Sequence, residues 1–440
     1  MSVRLVFLIS LVVLAACGPE EPLPPNIIII NADDLGYGDV GPYGQSLIKT
    51  PNIDRLAEQG MRFTQFYAAN ALCAPSRLLY LTGRDSRSYE TLRNGAIQLP
   101  DDAVTVPGLL QKAGYATGLA GKWAFSGAMG SSDPLKNGFD YFVGYTNQTA
   151  AHNYYPAQLV ENGKPFQLKG NVLSDQPNIS AQKTVFAPDL IHEKALKFME
   201  KHRSEPFYLQ MDYTVPHVNN ELHAASGNGF EHPGDGRYAE QEWSSADKGY
   251  AEQVSLLDDY VGSTLALLDT LGLSERTVVL ITSDNGPTGT RGTPSLRHFE
   301  SSGGLKGMKG MLFEGGIRVP LIAYWPGRII AGAHNAAPSA AWDLKATYAE
   351  LAGVERVDVF EGISLVGELL GREPRVPTDR TMVWKVYDRI AVRSGNWKWV
   401  RHPHKNRNPD FLYDLKTDPG EQKNLRDARP DILTKLQAEL

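Results

Sequence analysis

The sequence predicts an α/β fold: a doubly wound, mostly parallel sheet flanked by helices, with a small C-terminal antiparallel-sheet subdomain. Two observations carry this prediction. Uninterrupted β-branched and aliphatic runs, Ile27–Ile30 and Thr277–Ile281, are of the kind that fills strands buried on both faces. Such runs alternate with amphipathic stretches along the chain, which is the pattern of helices crossing over a parallel sheet. At 440 residues, 42% hydrophobic and 21% charged, the chain can bury one large core and a smaller second one.

Taken in order, the chain opens with Arg4 and an apolar stretch from Leu5 to Val13, closed by Leu14-Ala15-Ala16-Cys17. That stretch is too short to span a bilayer as a stable helix and reads as a signal segment over residues 1–17. Residues 18–25 hold four prolines beside Glu20 and Glu21, with no apolar periodicity, and read as a tether. Asn26 to Asn31 is the first buried strand. Thr50 to Ala57 begins an amphipathic helix, and Val106 to Leu110 begins another that ends at Gly114. Strand-like Ala116 to Leu119 runs into Gly121-Lys122-Trp123. Helical Asp189 to Lys201 precedes a strand over Phe207 to Met211, and a long helix from Tyr250 to Leu271 leads to the strand at Thr277. The α/β domain is expected over residues 26–370. Beyond Leu365 to Gly371 a Pro- and Arg-rich stretch leads to short strands at Thr381–Val386, Ile390–Ser394 and Trp397–Val400, with a helix from Pro430. This is the expected α+β subdomain, residues 371–440.

A formal charge of −6 leaves no basic footprint for nucleic acid. A polyanionic substrate would have to be met by a local basic pocket rather than by global attraction. The chain has no internal repeat.

Both long aliphatic strands end in oxygen donors: Asp33-Asp34 after the first, Ser283-Asp284-Asn285-Gly286 after the second. Open α/β sheets place their functional loops at such strand ends. Taken singly, Asp-Asp or Asp-Asn is turn or cap chemistry. Brought together, three carboxylates and an amide oxygen would repel strongly without a cation between them, and hard oxygen donors suit Ca2+ or Mg2+.

Cys73 stands in Cys73-Ala74-Pro75-Ser76-Arg77, followed by Thr82-Gly83. A lone cysteine is usually a small buried hydrophobe, but this run resembles the signature of type I sulfatases of the alkaline phosphatase superfamily. The resemblance extends over most of residues 26–425, and Phe411 to Leu415 with Asp418-Pro419 resembles the family's closing strand and loop. It implies that a maturation enzyme oxidises Cys73 to formylglycine, whose hydrate is the nucleophile. A geminal diol can collapse back to the aldehyde and expel sulfate, which an unmodified thiol cannot do. It also implies Ca2+ bound by Asp33, Asp34, Asp284 and Asn285, with the modified Cys73 completing the shell and the ion polarising the sulfate.

The same resemblance gives four basic residues roles around a dianionic transition state. Arg77, one helical turn after Cys73, is expected to hydrogen-bond the nucleophile, and Lys122 to contact sulfate. His217 is expected to touch sulfate and protonate the leaving alkoxide, and Lys309 to bind the bridging or a terminal oxygen. One departure stands out: many sulfatases have histidine after Gly-Lys-Trp, where this chain has Ala124. His152 and His298 are candidates to replace it, or to contact substrate.

Ala124, the stretch Ala151 to Pro156 and Pro216-His217-Val218-Asn219-Asn220 resemble the branch that removes 4-O-sulfate from galactose or N-acetylgalactosamine, in carrageenan or chondroitin-type chains. On that reading His152, Asn153, Asn219 and Asn220 contact the sugar, although Asn219-Asn220 also fits simple turn chemistry. His402 and His404 are weaker candidates for a pocket wall.

Leu14-Ala15-Ala16-Cys17 resembles a bacterial lipobox, which implies an exported protein anchored to the cell envelope by lipid on Cys17; an ordinary cleaved signal peptide is the alternative. With both cysteines accounted for, no disulfide is expected. Two other functions fit the same features: a phosphodiester or phosphonate hydrolase on the same fold, and a surface glycan-binding lipoprotein that has lost turnover with its histidine.

Overall fold

The computed structural model describes residues 23–440 apart from 91, 96, 126–131, 290–297, 355–360 and 404–407. The signal segment, Cys17, most of the tether and His404 therefore lie outside the described residues.

Ten strands form one sheet, in the order Ala333–Asn335, Met61–Phe63, Leu321–Tyr324, Thr277–Ser283, Asn26–Ala32, Phe207–Asp212, Ala116–Lys122, Tyr141–Tyr145, Gln158–Glu161 and Lys164–Gln167. The five strands from Thr277–Ser283 to Tyr141–Tyr145 run parallel, with Asn26–Ala32 between Thr277–Ser283 and Phe207–Asp212. Antiparallel pairing occurs toward both edges.

The centre is buried on both faces. Ile27 and Ile29 pack into one core cluster, Ile28 and Ile30 into the other. Burying each such isoleucine stabilises the fold by about 1.5–3 kcal/mol, which is why an unbroken aliphatic run sits here. One face is covered by the helices Cys73–Thr82, Val106–Lys112 and Asp343–Leu351, the other by Pro51–Gln59, Ala187–Lys201 and the 26-residue helix Ser245–Thr270.

The elements expected from sequence are present with small shifts at their ends: the strand begun at Ala116 reaches Lys122, and the long helix begins at Ser245, capped by the Ser244 side chain. Met61–Phe63, Leu321–Tyr324 and the strands between Tyr141 and Gln167 are additions to that reading.

A second sheet, Thr381–Val386, Arg389–Ser394, Trp397–Arg401 and Asp410–Asp414, is antiparallel throughout. Val383, Val392, Trp399 and Leu412 on one face pack with Leu436 of the helix Pro430–Gln437. The opposite face, with Trp384, Ala391, Val400 and Tyr413, joins the large core. Buried Lys398 fastens the two together, with Nζ 2.8 Å from Glu314 and 3.0 Å from Glu421. The small sheet is thus sandwiched between its own helix and the main domain.

Candidate active site

Four strand ends and one helix start meet at the carboxyl edge of the parallel strands. After Asn26–Ala32 the chain turns sharply, with Asp34 in the left-handed region at φ 67°. Aspartate tolerates that backbone better than bulkier residues. Asp33 and Asp34 are both fully buried. Asp284 follows the neighbouring strand and its Oδ1 accepts the Asp34 N–H at 3.2 Å. Cys73 opens its helix fully buried, with Sγ 3.2 Å from Asp33 Oδ1 and 3.9 Å from Asp34 Oδ1.

Arg77, one turn along the same helix, is fixed by carboxylates on two sides: Nη1 lies 2.7 Å from Asp212 and Nη2 3.0 Å from Asp284. Lys122 ends its strand just after Gly121, at φ 127°, where a Cβ would meet Asp212 O at 2.0 Å; only glycine lets the two strands close up here. The Lys122 ammonium pairs with Asp33, and Lys309 Nζ reaches Asp34 Oδ1 at 2.7 Å. His217 donates from Nδ1 to Val218 O at 2.7 Å, which turns Nε2, as an acceptor, toward Asp34 at 3.6 Å. The Tyr154 hydroxyl holds this loop by donating to the carbonyls of Thr214 and His217.

Electrostatics follow from burial and crowding. Burial alone would raise the Asp33 pKa, but Lys122, His217, Arg77 and Lys309 together hold it well below the usual carboxylate range. Burial, reinforced by Asp33, pushes Asp284 up to about 7. Burial and then Lys309 depress His217 to about 3, so it is neutral. Burial, with Asp284 and Asp33, raises the Cys73 thiol far above its ordinary value, so it is protonated and a poor nucleophile as it stands.

The residues fit a divalent cation. Donor atoms of Asp33, Asp34, Cys73 and His217 lie within 4.8 Å of one another. Asn285 donates from Nδ2 to Asp34 Oδ1 at 2.7 Å, while its buried Oδ1 has no hydrogen-bond partner among the described residues. An orphaned buried acceptor is costly, and here it sits in a group where the carboxylates of Asp33, Asp34, Asp212 and Asp284 outnumber the cations of Arg77, Lys122 and Lys309. Such a cluster of acidic oxygen donors suits a hard cation.

Above this floor opens a cavity of about 580 Å³ whose lining includes Asn94, Ala124, His152, His217, Asn220 and Lys309. Ala124 is in the left-handed region at φ 70°. His152 stacks on His217, ring centroids 5.0 Å apart, with Nδ1 3.1 Å from Glu221. The nine residues expected to form the nucleophile, metal and sulfate sites therefore converge, and His152 and Asn220 join them at the cavity wall.

Three expected sugar contacts do not. Asn153 is buried and spends its amide on Ser180 and the Tyr155 N–H. Asn219 is fully buried, caps the helix Asn220–Ser226 through the Leu222 N–H and donates to Glu231. Both support loops rather than face the cavity. His298 packs on Trp243 and Phe299 and lines a different cavity, with Tyr43 and Gln45, so it does not replace the histidine missing at Ala124. His402 packs against Phe313, ring centroids 5.6 Å apart, instead of lining the cavity. Asp212, Asn94 and Glu221 belong to the site without having been expected there. Asp212 ends a buried strand just as Asp33 follows one, a signal present in the sequence; Asn94 and Glu221 stand in polar stretches with none.

Comparison with known proteins agrees with this geometry. Residues 25–354 match the family model described as Sulfatase, and residues 307–440 match N-sulphoglucosamine sulphohydrolase, C-terminal. The chain is 32% identical to arylsulfatase A of Bos taurus, over 96% of this chain and 87% of that protein. It is 32% identical to N-acetylgalactosamine-6-sulfatase of Canis lupus familiaris, over 90% and 74% respectively. A crystal structure of Ps i-CgsB in complex with k-i-k-neocarrahexaose superposes with a TM-score of 0.79 at 27% identity, covering 94% of this chain and 92% of that one.

Proposed function

Because this chain belongs to the sulfatase family, and so is a sulfuric ester hydrolase, we propose that it cleaves sulfate esters of a glycan with a formylglycine made from Cys73 and a Ca2+ ion. The observation that carries this is the convergence of Cys73, Asp33, Asp34, Asp284 and Asn285 between two lysines, with Asn285 Oδ1 unpaired among the described residues. Asp33, Asp34, Asp284 and Asn285 would hold the ion. When bound, the ion and the aldehyde hydrate supply, respectively, electrophilic activation of sulfur and an oxygen nucleophile that can later release sulfate.

The chain's own residues do the rest. Arg77, held between Asp212 and Asp284, fixes the position of the attacking oxygen at the head of its helix. Lys122 and Lys309 flank the two aspartates and present positive charge to the sulfate oxygens. Lys309 and His217 both line the cavity beside Asp34, and this pair would supply the proton for the departing sugar oxygen.

We propose 4-O-sulfated galactose or N-acetylgalactosamine as the sulfated unit. Ala124, His152 and Asn220 support this, since they form the cavity wall where the chain departs from the general family pattern. The axial O4 must be approached from one side of the ring, and misplacement by about 1 Å costs roughly a hundredfold in rate. The canine relative, named for a 6-sulfate, favours the 6-O isomer as a second reading. A panel of mono-sulfated galactose, N-acetylgalactosamine and N-acetylglucosamine isomers decides between them: fastest release from a 4-O ester is expected, and faster release from a 6-O ester overturns the assignment. The mass of the Cys73 peptide tests the modification, with a mass of unmodified cysteine in active enzyme as the refuting result. A lipid anchor on Cys17 in the bacterial cell envelope, with residues 26–370 and 371–440 as catalytic and C-terminal units, completes the proposal; metabolic labelling with palmitate tests the anchor.

A further inference from the structure

The glycan reading leaves the rim of the cavity unassigned, and the role inferred for that rim rests on the glycan reading. Strands Thr381–Val386 and Arg389–Ser394 are joined by two residues, with Val386 paired to Arg389. Such loops favour a positive φ at their first residue, which glycine or asparagine adopts at low cost. Here that residue is Tyr387, at φ 52°. A left-handed backbone on a bulky side chain costs about 1–3 kcal/mol, and outliers of this kind cluster at ligand sites. Packing does not account for the tyrosine, which is 59% exposed.

The hairpin is fastened to the catalytic rim on both sides. The Tyr387 N–H donates to Leu92 O at 3.3 Å, two residues before Asn94. Asn94 lines the cavity, and its Oδ1 accepts the Ala74 N–H at the head of the Cys73 helix. On the other strand Arg389 donates to Gly310 O, next to Lys309. Lys385 O, just before the turn, accepts from Asn70 Nδ2 at 2.9 Å. An exposed aromatic ring on a hairpin hydrogen-bonded to the segments that carry the cavity's rim has the chemistry of a sugar-stacking platform, its face against ring C–H groups while the cavity holds the ester. We propose that Tyr387 is the stacking platform for a sugar ring adjoining the sulfated residue, so that the C-terminal sheet forms part of the surface on which a glycan chain lies.

The test compares kcat/KM on a sulfated tetrasaccharide of carrageenan or chondroitin type with kcat/KM on p-nitrophenyl sulfate, in wild type, Tyr387→Phe, Tyr387→Gly and Tyr387→Asn. Glycine and asparagine suit the left-handed backbone, so both variants fold, and both are expected to raise Tm because strain is relieved. The tetrasaccharide-to-aryl ratio is expected to fall about tenfold in both, through KM, and to stay within twofold of wild type in Tyr387→Phe. A ratio unchanged in Tyr387→Gly and Tyr387→Asn overturns the platform while leaving the glycan reading intact. Wild-type enzyme that hydrolyses p-nitrophenyl sulfate but no sulfated oligosaccharide overturns the glycan reading, and the platform with it.

Discussion

Removing the charge of Asp212 leaves Arg77 anchored by Asp284 alone among its close carboxylate partners. Asp212 is itself braced by Gln210 at 2.6 Å and Asn31 at 3.2 Å, so the guanidinium is fixed from the sheet side as well as from the loop. Asp212→Asn is expected to lower kcat on an aryl sulfate about 10–100-fold, the consequence of a small displacement at the nucleophile, and to cost about 2 kcal/mol of stability. Steady-state kinetics with a melting curve check it; an unchanged kcat would refute the positioning role. Asp33, Asp34, Asp284 and Asn285 were readable because doublets of oxygen donors close two aliphatic runs. Asp212 obeys the same rule but is followed by Tyr213, and a single carboxylate gives no doublet to notice. Asn153 and Asn219 misled for a different reason. An asparagine that caps a helix or a turn and one that binds a hydroxyl offer the same chemistry, and only burial separates them.

At the scale of elements, the helices Ala187–Lys201 and Ser245–Thr270 are joined through His192. Its Nδ1 is 2.6 Å from the Tyr213 hydroxyl and its Nε2 2.6 Å from Ser263 Oγ, so it ties both helices to the segment that carries His217. Burial lowers its pKa from the ordinary 6.5 to about 4. Between these values the unfolded chain takes up a proton that the folded protein does not, so stability is full above pH 6.5 and falls as pH drops toward 4, by about 3 kcal/mol. His192→Gln, neutral throughout, should remove about that much of the difference in unfolding free energy between pH 7 and pH 4, measured with urea. An identical pH dependence in the variant would rule His192 out. Both helices were evident in sequence because their apolar periodicity runs for many turns. Met61–Phe63 and Leu321–Tyr324 were not, since strands of only three or four residues carry too little alternation to register.

Over the whole molecule, a cation between the strand ends would tie residue 33 to residue 285 across the middle of the sheet. An ion present at about 100 times its Kd adds about 2.7 kcal/mol to stability. Chelation is therefore expected to abolish sulfate release and lower Tm by several degrees, both restored by Ca2+. No change on exhaustive chelation, with no metal by elemental analysis, would dismiss the four-ligand site. The overall architecture was legible because long aliphatic strands and long helices alternate; the place of the C-terminal sheet was not, because one of its faces belongs to the core of the main domain, a matter of tertiary packing alone. The complete burial of Cys73 has a further consequence, in time. The cysteine is enclosed partly by Asp284 and the strand before it, made some 200 residues later in the chain. At about 5–20 residues per second, synthesis takes roughly 10–40 s to reach that point. An enzyme that oxidises Cys73 would have to act before these strands close, so slower translation through residues 74–283 is expected to raise the modified fraction of a preparation, read from the mass of the Cys73 peptide.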